Sequence, residues 1–171
     1  MVSGLSGSGK STIAEMLAAE GNGVTLRTDV IRDQNPELKR PEVRHTRAAA
    51  HQVYKLMMDQ AREHLRAGKV VALDASFIEA EDRQLAHDLA AEMGVRLVTV
   101  LAECPDPIAE ERIRARAAEG KDSASDLGVE IRHRQQRDYP VFPVPREGAE
   151  IVNTEGTREN VRERVLQLLK V

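Results

Sequence analysis

Short apolar runs alternate along the chain with stretches whose apolar residues recur every three to four positions. Runs of the first kind occupy residues 1–4, 24–27, 69–74, 96–101 and 150–153 and read as five strands. The helical period predicts helices over residues 10–19, 41–67, 79–93, 105–118, 125–138 and 157–170. Gly68 and Gly94 fall just past two of them and Pro41 opens the longest, as helix ends prefer. Strands of near-continuous apolar character, each followed by a helix, predict an α/β fold: a single domain on a five-stranded parallel sheet with helices on both faces. Such folds take ligands at the carboxyl ends of their strands. The first strand is barely long enough, which points to residues upstream of Met1 or to a preceding domain.

At the carboxyl end of that strand stands GLSGSGKST, fitting the phosphate-loop pattern G-x-x-x-x-G-K-[ST]. Gly4, Gly7 and Gly9 let the backbone curl so that the N–H groups around Ser6 and Ser8 converge on one concavity. The helix that follows directs its positive end there, and Lys10 adds a full charge. A nucleotide polyphosphate is the expected guest, with Thr12 beside the loop, Lys10 on the outer phosphates and Ser11 on a bridging Mg²⁺.

Composition narrows the class. The 171 residues are 41% hydrophobic and 31% charged, sufficient for one soluble domain with a real core. No apolar run approaches the ~20 residues of a membrane span, and no signal peptide is visible, so a cytoplasmic location without membrane partners is expected. The single cysteine, Cys104, excludes an internal disulfide and reads as a packed thiol at a strand end. A net charge of −3 argues against a broad nucleic-acid-coating surface, though not against a local basic groove.

Two further strand ends carry candidate chemistry. The second runs into RTDVIR, which puts Asp29 at the active edge and Arg32 one turn on. Asp29 either takes the proton of an acceptor hydroxyl, with Arg32 holding an anionic group of that acceptor, or simply caps a short helix. The third strand ends on Asp74, placed to bind Mg²⁺ or its water, or to serve as an ordinary turn aspartate.

Taken with LRTDVIR, ALDASFIEAEDR, ECPDPIAEERIRAR and ASDLGVEIRHRQ, the phosphate loop resembles the P-loop kinases that include polynucleotide kinases and zeta-toxin-like kinases. Within that group it is especially similar to a family of predicted kinases often fused to an aminoglycoside-phosphotransferase-like domain. The resemblance spans nearly the whole chain. It implies ATP and Mg²⁺ as cofactors, Asp29 as general base, Arg32 as acceptor anchor and Asp74 as the second-motif carboxylate. It also implies a helical lid at about residues 112–137, in which Arg112 packs on adenine and Arg116 touches phosphate, with Arg132 as a later member; the alternative is a solvated face pairing with Glu110, Glu111 and Glu119. The adenylylsulfate kinases share GLSGSGKST and SFI followed by DR, but their asparagine-arginine motif and lysine-rich lid are missing here.

On the long helix, Arg44, Arg47, His51, Lys55, Arg62 and Arg66 share about a third of the circumference, beside an apolar face of Ala50, Val53, Tyr54, Met57, Ala61 and Leu65. This basic stripe either lines a channel toward Asp29 or is a solvated face. The expectation is an ATP-dependent kinase acting on a hydroxyl of an anionic acceptor bound by Arg32, Arg44, Arg47 and His51. A nucleic-acid 5′ end is slightly favoured over a small phosphorylated molecule, although aromatic residues for base stacking are few. Another small-molecule kinase activity, adenylylsulfate-type included, remains the alternative. The rival of another class, a nucleotide switch ATPase, would more often follow Asp74 with a second acidic residue; Ala75 stands there.

Overall fold

In the computed structural model the residues described are 1–43, 46–119, 125–139 and 148–168. Five parallel strands, β1 (Val2–Ser3), β2 (Val24–Arg27), β3 (Val71–Asp74), β4 (Thr99–Glu103) and β5 (Ala149–Asn153), form one sheet in the order β2-β3-β1-β4-β5. Seven helices are described: α1 (Lys10–Glu20), α2 (Thr28–Gln34), α3 (Arg47–Arg66), α4 (Ala80–Met93), α5 (Asp106–Ala118), α6 (Ser125–Asp138) and α7 (Arg158–Leu168), with a 3-10 turn at Pro36–Lys39.

Strand periodicity sorts the core onto two faces. Met1 and Leu73 point to one side with Val53 and Met57 of α3 and Ala86 and Leu89 of α4. Val2, Ala72 and Val100 point to the other, against Ile13 and Ala14 of α1 and Val161 and Val165 of α7. Both faces of the sheet are therefore covered, as the apolar strands require.

The boundaries move where a specific contact decides them. Helix α3 begins at Arg47, not at Pro41, because the Thr46 hydroxyl oxygen accepts the Ala49 N–H at 3.2 Å and ends the preceding turn. Strand β4 begins three residues later than expected and extends to Glu103, its register set by Val2 opposite Val100 and by Glu103 opposite Asn153. Among the described residues no helix is long and apolar enough to cross a membrane.

Met57 has no exposed surface and sits at the centre of the α3–α4 side of the core. Met57→Ala is expected to cost about 2–5 kcal/mol of unfolding free energy, read as a lower denaturant midpoint with an unchanged slope. A loss below about 1 kcal/mol would mean that this face is not tightly packed.

Candidate functional site

The phosphate loop joins β1 to α1, and its glycines are required by what lies behind them. Gly7 has φ +77, and a Cβ there would stand 2.6 Å from the Ala109 carbonyl oxygen of α5 and 3.0 Å from Ile113. Gly9 has φ +86 and would meet the Thr154 side chain at 2.9 Å. The loop is thus wedged between α5 and the segment after β5, in backbone conformations that side chains resist.

Hydrogen bonds fix it further. The Thr154 hydroxyl donates to the Ser8 carbonyl at 2.7 Å, and Arg112 donates to the Thr154 hydroxyl and carbonyl oxygens at 2.9 and 2.7 Å. Helix α6 holds Ser6 at both ends of its backbone. Arg132, 3% exposed, donates to the Ser6 carbonyl oxygen at 2.6 Å, and Gln135 Oε1 accepts the Ser6 N–H at 3.0 Å. Arg132 also donates to Asp106 at the start of α5, at 2.5 Å. Sequence placed Arg132 among the lid arginines; in the structure its partners are the loop backbone and Asp106. The Cys104 thiol donates to the Gly7 carbonyl at 3.6 Å, a packed thiol just past the end of β4.

A cavity of about 380 Å³ opens against this loop, lined among others by Lys10, Ser11, Thr12, Arg112, Arg116 and Thr157. Gly7 and Gly9 border it, while Gly4 and Ser8 face a neighbouring crevice beside β4. Burial pushes the Lys10 ammonium below the ordinary lysine value of 10.5, Asp74 and Asp29 oppose that shift, and Arg116 and Arg27 reinforce it. Of the groups named from the sequence, Asp74, Asp29 and Arg116 therefore converge electrostatically on Lys10.

Asp74 at the end of β3 is 4% exposed; its Oδ1 has no hydrogen-bond partner, and Oδ2 lies 3.6 Å from Arg27 Nε. Asp29 lies in the first turn of α2, with 63% of its side chain exposed. Arg27 Nε and Nη2 donate to its two oxygens at 3.2 and 2.7 Å. Oδ1 also takes the N–H of its neighbour Val30, a first-turn N–H of α2, at 2.9 Å, while the N-cap residue itself, Arg27, makes no side-chain cap bond. Burial works against the Arg27 charge, but Asp29 and then Asp74 outweigh it and raise the pKa. Sequence reasoning left Arg27 without a role, although an arginine closing a strand beside two strand-end carboxylates was a visible signal.

A second cavity, about 350 Å³, lies over the β2–β3 side between α2, α3 and the segment leading into α4. Arg32 and Arg47 line it, as the acceptor reading expects, and so do Glu79 and Asp82, which that reading did not use. Asp82, 2% exposed, receives Arg47 at 2.9 and 3.0 Å and His51 Nδ1 at 2.7 Å. Three of the described side chains of the basic stripe are paired. Arg47 and His51 are matched to Asp82, and Arg62 is matched to Glu92 at 2.8 Å and to Asp59 at 2.8 Å, because α4 and α3 itself present carboxylates along that face. Arg44 lies outside the described residues.

The segment from Asp74 to α4 is held rigidly. Phe77 is fully buried with φ +49, a left-handed conformation that a bulky residue adopts only under constraint. Tyr54 accepts the Phe77 N–H at 3.1 Å, Ser3 donates to the Ser76 carbonyl at 2.5 Å, and Arg83 donates to the carbonyls of Phe77 and Ile78.

The comparisons agree with this construction. Residues 1–141 match the AAA_33 family model, an AAA domain. The chain belongs to that family. Its fold is that of P-loop kinases. It is similar to the Mycobacterium tuberculosis APS kinase in complex with AMPPNP and APS (TM-score 0.69, 21% identity, covering 99% of this chain and 95% of that one). A Sinorhizobium meliloti gluconokinase (0.68, 17%, 99% and 89%) and a sugar kinase from a Janibacter species (0.67, 17%, 99% and 92%) are similar too. At these identities the likeness is one of fold. No curated protein sequence matches. The AAA domain assignment is broader than the polynucleotide and zeta-toxin-like kinase group expected from the sequence and does not single that group out.

Hydrogen bonding from Arg132 holds the Asp106 carboxyl below its usual value of 3.8; burial opposes this, and Gln136 adds to it. A carboxylate whose pKa falls on folding stabilises the native state at pH above 3.8, and that contribution disappears as the pH drops through the lowered value. Asp106→Asn should therefore be less stable than wild type by a constant amount near neutrality, the gap closing in strong acid. A gap that widens in acid contradicts the clamp; chemical denaturation across pH measures it.

Proposed function

We propose that the protein is an ATP-dependent kinase that transfers the γ-phosphate to a hydroxyl of a small acceptor. The observation that carries this is the pair of cavities at one sheet edge, one against the phosphate loop, α5 and the segment after β5, the other past the ends of β2 and β3, with Asp29 following β2, Asp74 ending β3 and both acting electrostatically on Lys10 at the start of α1. A switch ATPase needs only the first.

In this reading the loop N–H groups and Lys10 hold the triphosphate, Arg112 lies along the base, and Arg116 balances charge on the phosphates. The residues present fit a Mg²⁺ ion. Ser11 supplies a hydroxyl and Asp74 a buried, unpartnered oxygen, a donor pair that phosphates and water would complete. When bound, it would offset charge on the β and γ phosphates.

Asp29, oriented by Arg27, takes the acceptor hydroxyl proton as the oxygen forms its bond to the γ-phosphorus. The bond from that phosphorus to the β–γ bridging oxygen breaks, and its electron pair leaves with ADP. Helices α5 and α6 act as the lid, and α6 contacts the loop directly at Ser6. Pairing of the α3 cations with carboxylates argues for a small acceptor over a nucleic-acid end, which needs a continuous cationic track.

Two variants test this. Lys10→Ala should weaken MgATP binding at least ~10-fold, as loss of a charge-assisted contact implies, and abolish turnover. Wild-type protein with no calorimetric affinity for ATP or GTP at millimolar concentration would end the nucleotide reading. Asp29→Asn should lower turnover by roughly 10²-fold or more while MgATP affinity and unfolding midpoint hold. Near-wild-type transfer by this variant removes Asp29 from the mechanism.

A further inference from the structure

The second cavity tells what kind of acceptor the kinase reading requires. Its described charged lining is two arginines, Arg32 and Arg47, against two carboxylates, Glu79 and Asp82. From these groups, and resting on the kinase reading, we infer that the acceptor is a small polyhydroxylated molecule carrying at most one negative charge.

Arg47 is committed before any ligand arrives. Two of its nitrogens hold the buried Asp82, at 2.9 and 3.0 Å, and Nη2 also reaches Glu81 at 3.3 Å. Turning Arg47 toward an anionic ligand would strip a nearly fully buried carboxylate of its main cation, a costly exchange that a neutral acceptor does not demand. His51 is held on the same carboxylate at 2.7 Å. Asp82 is thus a positioning residue. It fixes Arg47 as a donor on the wall and cancels its charge.

Glu79 supplies the complementary surface. It occupies the N-cap position of α4, where an acidic side chain commonly serves the helix, yet it makes no capping bond. Instead its Oε1 accepts the Tyr139 hydroxyl at 2.7 Å, just past the end of α6. A carboxylate offers about four acceptor sites, and Tyr139 takes one, leaving others for hydroxyl donors. The same charge repels a second anionic group. The Thr28 and Ser76 hydroxyls also line the cavity, while Ala50, Val53 and Ile78 form an apolar wall. A carbon chain or ring with alternating C–H and O–H surfaces matches that division. The volume of about 350 Å³ lies at the low end of the ~300–1,000 Å³ typical of small-molecule sites. Arg32, on the α2 side, lines the cavity and donates to the Leu38 carbonyl oxygen at 3.4 Å, so among the described residues at most this one further cation stands near an acceptor carboxylate.

The test is a transfer screen with γ-labelled ATP and Mg²⁺, run beside MgATP calorimetry. The acceptors are neutral alditols and inositol, aldonates with one carboxylate, sugar bisphosphates, adenylylsulfate and a 5′-hydroxyl oligonucleotide. Labelling of an alditol, inositol or an aldonate is expected, with the multiply anionic compounds at least ~10-fold poorer in kcat/KM. Glu79→Gln should raise the KM of the labelled acceptor ~10-fold or more, with the KM for ATP within about twofold of wild type, and Glu79→Asp should recover part of the loss. A purely structural role for Glu79 would instead lower the melting temperature and shift both KM values. Preferred labelling of the multiply anionic compounds overturns the inference. So does MgATP binding with no polyhydroxylated compound labelled, which leaves the kinase reading standing; absence of MgATP binding defeats that reading itself.

Discussion

Everything at the sheet edge depends on keeping the phosphate loop open. Backbone N–H groups can serve a polyphosphate only if the loop does not collapse and satisfy them internally. Here the loop is braced from behind and from one side, and of its N–H groups Ser8 is given to the Leu5 carbonyl at 3.1 Å and Ser6 to Gln135. Thr154 fills the space against Gly9 and holds the Ser8 carbonyl, Ala109 and Ile113 press on Gly7, and Arg132 takes the Ser6 carbonyl. Arg112 braces Thr154 in turn, so a residue expected beside the adenine also secures the loop. A Cβ on Gly128 of α6 would lie 2.6 Å from Ile113, so α6 packs closely on the same residue that presses against Gly7. Ile113, 1% exposed, therefore transmits the position of α6 to the loop by contact alone, and Arg132 and Gln135 do so by hydrogen bonds.

The acceptor side obeys a different constraint, that of charge compensation. Asp82 is almost inaccessible, and a carboxylate there survives only with cations fixed against it. Arg47 is such a cation and the His51 ring adds a hydrogen bond at 2.7 Å, so two members of what reads as a binding stripe are first of all partners of Asp82. Arg27 performs the corresponding task nearer the phosphate loop. It lies 2.7 Å from Asp29 and 3.6 Å from Asp74, spacing apart two carboxylates that would otherwise repel each other across the route from acceptor to nucleotide.

The division between what was legible in the sequence and what was not follows the range of the interactions. The strands and the phosphate loop are local patterns, and β2, α1 and α6 lie within a residue of their expected ends. Helix α3 was overextended because its true start depends on Thr46, a cap signal hidden behind the more conspicuous Pro41. Strand β4 was misplaced because its register is fixed by β1 and β5, which no window on its own sequence contains. The basic stripe was correctly placed on one face of α3, but its partners, Asp82 and Glu92, come from α4, 31 residues beyond His51 in the first case and 30 beyond Arg62 in the second. Helical periodicity gives the direction of a side chain and is silent on what charge will face it.

The strained segment after β3 shows why these constraints belong together. Asp74, Ser76, Phe77, Ile78, Glu79 and Asp82 are nearly consecutive, and they include the carboxylate facing Lys10, the floor of the acceptor cavity and both of its acidic groups. Relaxing Phe77 from its left-handed conformation would move Ser76 and Ile78 and, through α4, the carboxylates that anchor Arg47. Tyr54, Ser3 and Arg83 oppose that relaxation from three different elements, α3, β1 and α4 respectively. In the proposed kinase the relative position of nucleotide and acceptor would thus be set by one short stretch of backbone, and strain of about 1–3 kcal/mol there is a cost the fold can bear only because the surrounding hydrogen bonds over-determine it.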